Sequence, residues 1–370
     1  MIYLDYAATT PISDNALNVY NEVSKNFFGN SSSLHDIGTS AKNLLAHCRS
    51  ELADLIHANE KGLLFTGGGT ESNVLAIETL INSYKGIGNH IITTEMEHSS
   101  LLNYFKYLEE NKGYHITYLS PNKQGEINVD DLIKAISSTT ILASIQHANS
   151  EIGVVQPIEK IGKLLNQHGI LFHSDCVQTF GKLPINVQQA QLDSLSISSH
   201  KIYGPKGVGA IYVNPSLKGN SAKSSGQPGT ANVPGIAAFV TAAQDAYKDI
   251  DKESFRLLKL RQQFLTSVKK RKLRMEIITN DHLNLPHIIG ILLDNVQGDY
   301  AMLEFNRAGI AVSTGSACSV GHQQPTKAVL AIGKSEAEAK QFIRLSLGKY
   351  TSNVDIEEVV TLCEKIINNY

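Results

Sequence analysis

The sequence predicts an α/β protein with a mostly parallel sheet, helices on both faces, and a smaller α/β C-terminal domain. Between about residues 62 and 213, short apolar segments alternate with segments whose apolar residues recur at helical spacing. Such alternation is typical of strand–helix–strand units with parallel strands. A chain of 370 residues is also too long for one small core, which favours two domains.

The elements of the first part can be assigned in order. An extended, turn-rich segment covers residues 1–11. The predicted strands are residues 62–66, 90–94, 116–119, 140–146, 170–174, 194–198 and 209–213. The predicted helices are residues 13–23, 40–57, one starting near Thr70, 99–110, 129–137 and 157–168. Ligands of such sheets bind beyond the carboxyl ends of the strands, so reactive side chains are expected at those ends.

The second part begins with a polar, small-residue loop over residues 214–232 and a helix-rich stretch over 234–271. The smaller unit has predicted strands 273–279, 287–293, 311–313 and 342–346 and helices 299–308, 335–340 and 355–369. We therefore expect a large domain over residues 12–251 and a small domain formed by 1–11 and 252–370.

Composition excludes several classes of function. A net charge of −2 gives no basic excess, so we expect no direct nucleic-acid binding. The four cysteines form no Cys-x-x-Cys pair, so we expect no metal site. We see no signal peptide and no apolar run that could span a bilayer, and therefore expect a cytoplasmic protein with reduced thiols and no membrane partner.

Lys201 is the central candidate. It lies where a short strand gives way to a Gly/Pro turn, within residues 196–207. A lysine in such a place can hold a cofactor aldehyde as a Schiff base. Asp175 ends an apolar strand one strand–helix–strand unit earlier, where a carboxylate could pair with a protonated pyridine nitrogen. Alone, Asp175 is equally well explained as a helix cap, but the pair favours pyridoxal phosphate.

Further polar groups follow other strand ends. The glycine run 67–69 with Thr70 could cradle a phosphate, or form a plain strand-to-helix turn. His98 could lie on a flat ring and move protons, although a lone histidine is more often a surface or cap residue. Asn149 and Gln178 could donate hydrogen bonds to the ring, although each alone is more often a loop residue.

Two candidates lie in the second part. Cys318 lies in a small, polar, Gly-flanked segment, residues 313–322, which predicts an exposed mobile loop. An exposed thiol there favours a reactive role over the usual buried cysteine. Arg344, in the alternating strand 342–347, could bind a carboxylate with two hydrogen bonds. Considered alone, it is better explained as an ordinary surface arginine.

As a set, these residues resemble the NifS/IscS-type cysteine desulfurases, class-V-aminotransferase-like enzymes of fold type I that use pyridoxal phosphate. The similarity runs nearly end to end, and its motifs are specific together. The matching blocks are Tyr3-Leu4-Asp5-Tyr6-Ala7-Ala8-Thr9-Thr10-Pro11, Phe28-Gly29-Asn30, Ser32-Ser33-Leu34-His35, Gly68-Gly69-Thr70-Glu71-Ser72-Asn73, Asn149-Ser150-Glu151-Ile152-Gly153, Gly315-Ser316-Ala317-Cys318 and Ile343-Arg344-Leu345-Ser346-Leu347-Gly348.

The resemblance implies a seven-stranded sheet and a role for each matched residue. Lys201 would hold the cofactor and remove the α-proton, Asp175 would pair with the ring nitrogen, and His98 would stack on the ring. Arg344 would bind the substrate carboxylate, and Cys318 would take the substrate sulfur. The other implied contacts are Gln178 and Asn149 at the phenolic oxygen, Asn149 also at the substrate, and Gly69, Thr70, Ser198 and His200 at the phosphate.

The implied reaction converts L-cysteine to L-alanine and leaves a persulfide on Cys318, which passes sulfur to a protein acceptor. The acceptor could serve iron–sulfur cluster assembly, tRNA thiolation or thio-cofactor synthesis. Thr230 would reach the phosphate of a neighbouring subunit, which implies a homodimer. Here the family's Arg-x-Gly-Thr reads Gln227-Pro228-Gly229-Thr230, and the run before it is shortened.

Two alternatives remain from the sequence. The chain could be another fold-type I enzyme, such as an aminotransferase, an amino-acid lyase or a selenocysteine lyase, none of which needs Cys318. It could also be a weakly active scaffold of a sulfur-relay complex, which the altered segment before Thr230 favours.

Overall fold

The computed structural model describes residues 1–84, 88–217, 229–278, 283–315 and 325–369. The strands are β1 (Ile2–Tyr3), β2 (Leu63–Thr66), β3 (His90–Thr94), β4 (His115–Leu119), β5 (Thr140–Ser144), β6 (Leu171–Asp175), β7 (Ser194–Ser198), β8 (Gly209–Val213), β9 (Met275–Ile278), β10 (Ile288–Leu293), β11 (Ile310–Ala311) and β12 (Phe342–Ser346). The helices are α1 (Asp14–Asn26), α2 (Asp36–Leu55), α3 (Gly69–Ser83), α4 (Ser99–Lys112), α5 (Val129–Ala135), α6 (Ile158–Gln167), α7 (Val233–Lys248), α8 (Ile250–Arg271), α9 (Gly298–Arg307), α10 (Lys327–Ala331), α11 (Glu336–Ala339) and α12 (Asn353–Asn369).

The central sheet has seven strands in the order β2-β8-β7-β6-β5-β3-β4. Its strands pair in parallel from β7 through β6, β5 and β3 to β4, whereas β8 is antiparallel to both β7 and β2. The predicted mostly parallel seven-stranded sheet is therefore confirmed. Since β6 and β7 are adjacent and parallel, their carboxyl ends bring Asp175 and Ser198 to the same edge of the sheet.

Helices cover both faces of this sheet. Ile92, Ala143 and Phe172 pack into a buried cluster with side chains of α1, α2, α6 and α7. The residues that precede them in the same strands, Ile91, Leu142 and Leu171, pack into a second cluster with side chains of α3 and α4. Successive side chains of a strand point to opposite faces, so the two clusters lie on either side of the sheet.

A second, antiparallel sheet has the order β12-β10-β9 and lies in the last third of the chain. The N-terminal segment joins this part, because β1 pairs in parallel with β11 and Leu4 is buried in the core of α8, α9 and α12. These contacts favour the expected grouping of residues 1–11 with the C-terminal part. The domain limits 12–251 and 252–370 stay a prediction.

Some elements differ from the sequence prediction. α2 begins at Asp36 because His35 caps its first turn, with Nδ1 accepting from the Gly38 amide at 3.2 Å. The helix-rich stretch is two helices, α7 and α8, separated at Asp249. β1 and α10 were not predicted, because two and five residues are too short to show a period. Among the described residues, no helix is long and apolar enough to cross a membrane.

Candidate active site

A cavity of about 240 Å³ opens at the carboxyl ends of the central strands, against the N-terminus of α3 and the N-terminal segment. Nine of the predicted site residues line it together: Gly69, Thr70, His98, Asp175, Gln178, Ser198, His200, Lys201 and Arg344. They come from five different stretches of the chain. The structure therefore brings most of the candidates to one place, while the role of each stays a prediction.

Lys201 ends a short 3₁₀ turn directly after β7. Its Nζ donates to the backbone oxygens of Ala7, at 2.5 Å, and Ala8, at 2.8 Å. The Ala7 oxygen also accepts from Gln178 Nε2 at 3.0 Å. The N-terminal segment thus orients the lysine and the glutamine with one carbonyl.

Asp175 is the last residue of β6 and is 8% exposed. Its Oδ2 accepts from Asn73 Nδ2 at 2.8 Å, and its Oδ1 accepts from the Val177 amide at 2.9 Å. Both contacts orient the carboxylate, because each oxygen serves as an acceptor. The Val177 contact closes a tight turn. The alternative explanation for Asp175 was a helix cap, but no α-helix is described between β6 and β7.

His98 precedes α4 and is both a helix cap and a wall of the cavity. Its Nδ1 accepts from the Ser100 amide at 3.2 Å and lies 2.8 Å from Ser100 Oγ. Burial lowers the pKa of His98, Lys201 lowers it further, and Asp175 opposes them. With Nδ1 used as an acceptor, the neutral ring carries its proton on Nε2.

The end of the cavity near α3 has features of an anion site. Gly68 has φ of 147°, and a Cβ at Gly69 would lie 2.9 Å from the Val177 side chain, so the backbone approaches closely here. Ser198 Oγ is buried and has no hydrogen-bond partner among the described residues. Burial and the neighbouring Lys201 lower the pKa of His200 to about 4, and its Nδ1 lies 3.1 Å from Thr9 Oγ1.

Arg344, on β12, is 2% exposed and lies at the opposite end of the chain from its main partner. Its Nη2 donates to Asp5 Oδ1 at 2.6 Å and its Nη1 to the Ser150 oxygen at 3.0 Å. The alternative of an ordinary surface arginine is therefore wrong. A buried guanidinium held from two sides presents a rigid fork that suits a carboxylate.

Two of the described candidates, Asn149 and Thr230, are not among the lining residues of this cavity. Asn149 uses its amide to fix a loop: Nδ2 donates to the Met96 oxygen at 3.1 Å, and Oδ1 accepts from the Glu151 and Ile152 amides. Thr230 is exposed. Cys318 lies outside the described residues.

The other three cysteines are buried. Burial raises the pKa of the Cys48 thiol to about 11 and those of Cys176 and Cys363 to about 12. Such thiols are poor nucleophiles at neutral pH.

Sequence reasoning did not single out three residues that the structure places at the site. Asn73 contacts Asp175, Asp5 contacts Arg344, and Gln146 lines the cavity. Asn73 could have been found from its position three residues after Thr70, which puts both on one face of α3. Asp5 gave no such signal, because its partner is 339 residues away.

Known proteins resemble the chain over its whole length. A NifS protein of Bacillus subtilis (strain 168) is 46% identical over 368 residues, which cover 97% of this chain and 93% of that protein. The cysteine desulfurase IscS of Dictyoglomus turgidum (strain DSM 6724 / Z-1310) is 39% identical over 378 residues, which cover 99% of this chain and 94% of that protein.

Solved structures give the same result. A NifS-like protein superposes with a TM-score of 0.91 at 28% identity, covering 100% of both chains. A structure of SspA in complex with cysteine gives a TM-score of 0.80 at 32% identity, covering 95% of this chain and 100% of that one. The model of the family Aminotransferase class-V matches residues 2–359. With most of the chain matched by the family model, and with full-length relatives above 30% identity, this chain belongs to the aminotransferase class-V family.

Proposed function

We propose that this protein is a cysteine desulfurase, which converts L-cysteine to L-alanine and transfers the sulfur to Cys318. The observation that carries this proposal is the shared cavity, where Lys201, Asp175, His98 and Arg344 meet. Such a reaction requires an amine, a carboxylate to pair with the cofactor ring, a proton carrier and a cation that binds the substrate carboxylate. The names of the full-length relatives support the same activity.

The family implies pyridoxal phosphate as the cofactor, and the cavity fits it. Gln178 Oε1 and Ser198 Oγ are buried there with no hydrogen-bond partner among the described residues, so each can bind a polar atom of a ligand. Lys201 would hold the cofactor covalently, Asp175 would hold the ring nitrogen, and the α3 N-terminus with Ser198 and His200 would hold the phosphate. When bound, the cofactor supplies an acceptor for the electron pair left on the substrate α-carbon.

Two residues at the cofactor site, Lys201 and His98, would carry out the proton transfers. Lys201 would take the α-proton; its Nζ is held in this cavity by hydrogen bonds to the Ala7 and Ala8 carbonyls. His98, neutral because burial lowers its pKa, can carry a proton on Nε2. Arg344 would hold the substrate carboxylate and so fix the orientation of the substrate.

Ser313, two residues after β11, pairs through its backbone with the strand that carries Arg344. The Arg344 amide donates to the Ser313 oxygen at 2.7 Å, and the Ser313 amide donates to the Arg344 oxygen at 3.3 Å. Cys318 comes five residues later in the sequence. Its thiolate would attack the substrate sulfur: one S–S bond forms, the C–S bond breaks, and the carbon takes up a proton to give alanine. Cys318 is left as a persulfide.

The biological setting is a further part of the proposal. We expect a homodimer in the cytoplasm, with Thr230 contributing to the partner's phosphate site, and a protein acceptor of iron–sulfur cluster assembly. tRNA thiolation would be a second use of the same persulfide. The exposed position of Thr230 is compatible with a contact to another subunit. A pulldown of proteins that take sulfur from Cys318 would identify the acceptor.

The test of the main proposal is direct. The purified protein with bound pyridoxal phosphate, incubated with L-cysteine and a reducing thiol, should release alanine and sulfide in equal amounts. Each sulfide requires two thiols of the reductant, which form one disulfide. Alanine production without a thiol requirement, or keto acid in place of alanine, would contradict the proposal.

A further inference from the structure

A second cavity, of about 310 Å³, lies behind Lys201. Lys201 lines both cavities and so separates the second one from the candidate active site. The second cavity is walled by the ends of α7 and α8, by the turn after β7, and by the segment that follows β12. This volume is far above that of a single water site and is within the range of small-molecule pockets.

The inner end of this cavity carries polar groups that the protein does not satisfy. His287 is 2% exposed, and both its ring nitrogens lack a hydrogen-bond partner among the described residues. Buried polar groups are normally hydrogen-bonded, so this unsatisfied imidazole is available to bind a polar group in the cavity. Lys182 lines the same cavity, and its Nζ makes one long contact, 3.3 Å, to the Gln178 oxygen.

The electrostatics of the inner end favour an anion. The pKa of His287 is held well below its usual range by burial and by four cations: Lys182, Arg344, Arg261 and Lys201. Burial and Lys201 lower the pKa of Lys182 to about 7. Within the described ranges, no carboxylate forms a salt bridge with Lys182. A small carboxylate bound here would pair with Lys182 and could accept a hydrogen bond from His287.

Charged groups of both signs line the rest of the cavity. The carboxylates are Asp245 on α7, Asp249 between the helices and Glu253 on α8, and the lysines are Lys248 and Lys349. Glu253 is committed to Arg256 through contacts of 2.7 and 2.8 Å. Asp245 accepts from Asn15 Nδ2 at 3.0 Å and keeps a second oxygen for another donor. These carboxylates suit a ligand that carries an ammonium group as well as a carboxylate.

We propose that the second cavity binds a small α-amino acid, with its carboxylate at Lys182 and His287 and its ammonium group near Asp245 and Asp249. The site does not depend on the proposed reaction, because Lys182 and His287 are not among the groups assigned to it. Its ligand belongs to the same chemical class as cysteine and alanine. Occupancy would place a negative charge beside the amine cluster that includes Lys201 and thereby couple the two cavities.

The test uses two probes on the full-length protein loaded with pyridoxal phosphate. N,N-dimethylglycine is a zwitterion whose tertiary amine cannot condense with an aldehyde, and propionate has the carboxylate alone. Calorimetric titration should show one saturable site per chain for dimethylglycine without a change in the visible spectrum, and weaker binding of propionate. No saturable binding of dimethylglycine would overturn the proposal.

Variants locate the site. Lys182→Met should weaken dimethylglycine binding about tenfold or more, since it removes a charge-assisted hydrogen bond. Lys182→Arg should restore part of the affinity, and Lys160→Met, on the exposed face of α6, should change nothing. Asp249→Asn should weaken the binding of dimethylglycine but not that of propionate. Unchanged binding in Lys182→Met together with loss in Arg344→Gln would place the probe in the first cavity and refute the second site.

A folding defect would not mimic this result. Thermal unfolding of each variant without probe gives the baseline, and dimethylglycine should raise the Tm of the wild type and of Lys160→Met but not that of Lys182→Met. An equal rise of Tm in all three proteins would contradict the assigned carboxylate contact. If Asp249→Asn lowered the affinities for propionate and dimethylglycine equally, the assigned ammonium contact would be contradicted.

Discussion

Arg344 and Asp5 form an ion pair of 2.6 Å at the wall of the candidate active site, although the arginine is 2% exposed and lies on the last strand of the chain. The pair joins the N-terminal segment, whose Ala7 and Ala8 carbonyls hold Lys201, to the strand that precedes the C-terminal helix. The amine and the proposed carboxylate anchor are therefore positioned by one continuous segment, residues 5–8.

Arg344 is the proposed anchor of the substrate carboxylate. Arg344→Lys should raise KM for L-cysteine about tenfold or more, because an ammonium group cannot form the two parallel hydrogen bonds of a guanidinium. Asp5→Asn should destabilise the fold, by roughly 1–3 kcal/mol, since it leaves a buried charge with a weaker partner. Steady-state kinetics and denaturant unfolding measure the two effects. An unchanged KM in Arg344→Lys would exclude Arg344 as the carboxylate anchor.

Lys201→Ala tests the attachment of the cofactor. The wild type should show visible absorbance after addition of pyridoxal phosphate and dialysis, and the variant should lose it, because the covalent link requires the amine. Lys160→Ala, on the exposed face of α6, is the matched control. Retained absorbance in Lys201→Ala would disprove the assignment.

Asn73→Ala tests the support of Asp175. Its Nδ2 donates to the carboxylate at 2.8 Å, and hydrogen bonds to charged groups contribute about 1.5–3 kcal/mol. We expect the affinity for pyridoxal phosphate to fall by roughly tenfold, measured from the rate and extent of cofactor loss. Asn111→Ala removes an exposed asparagine of α4 and should have no effect. An unchanged affinity for pyridoxal phosphate in Asn73→Ala would show that the Val177 amide alone is sufficient to orient Asp175.

Cys318→Ser separates a desulfurase from other activities of the same cofactor. The variant should keep the visible spectrum of the wild type and lose release of alanine and sulfide, because a hydroxyl cannot take up the substrate sulfur as a persulfide. Cys48→Ala removes a buried thiol whose raised pKa, about 11, keeps it unreactive, and should remain active. Full turnover by Cys318→Ser would refute the sulfur-transfer role.

Glu97 predicts a pH dependence of stability. The residue is buried; its Oε1 accepts from Thr94 Oγ1 at 2.9 Å and from the Gln146 amide at 2.8 Å, while Oε2 has no partner among the described residues. Burial raises its pKa to about 8. Since the folded state holds the proton more tightly than the unfolded state, the stability contributed by this group is full below about pH 4.5 and is lost as pH rises towards 8.

Glu97→Gln should remove the loss of stability that Glu97 causes as pH rises towards 8. Near pH 7 the variant should be more stable than the wild type by up to about 3 kcal/mol, and the difference should vanish below about pH 4.5. Denaturant unfolding across this pH range measures both. Glu95→Gln, two residues away and partly exposed, is the control and should leave the pH profile unchanged. A stability difference independent of pH would mean that Glu97 is ionised in the folded protein.

The strand ends account for most of what could be predicted about the site. Asp175, Ser198 and Lys201 follow adjacent parallel strands, and the carboxyl ends of such strands meet at one edge. His98 was harder, because a helix cap and a cavity wall have the same sequence signature, and the structure shows that it is both. Asn149 illustrates the limit: its position after a strand end does not reveal that its amide is engaged by the Met96, Glu151 and Ile152 backbone.

The sequence by itself determined the alternation of strands and helices, the family, and the chemical groups at the strand ends, because these depend on periodicity and on residues near one another in the chain. The tertiary structure decided the pairing of Asp5 with Arg344, the sharing of the Ala7 carbonyl by Lys201 and Gln178, and the second cavity at Lys182 and His287. These features join segments more than 100 residues apart, and such contacts arise from packing of the two sheets and the N-terminal segment, which local patterns do not encode.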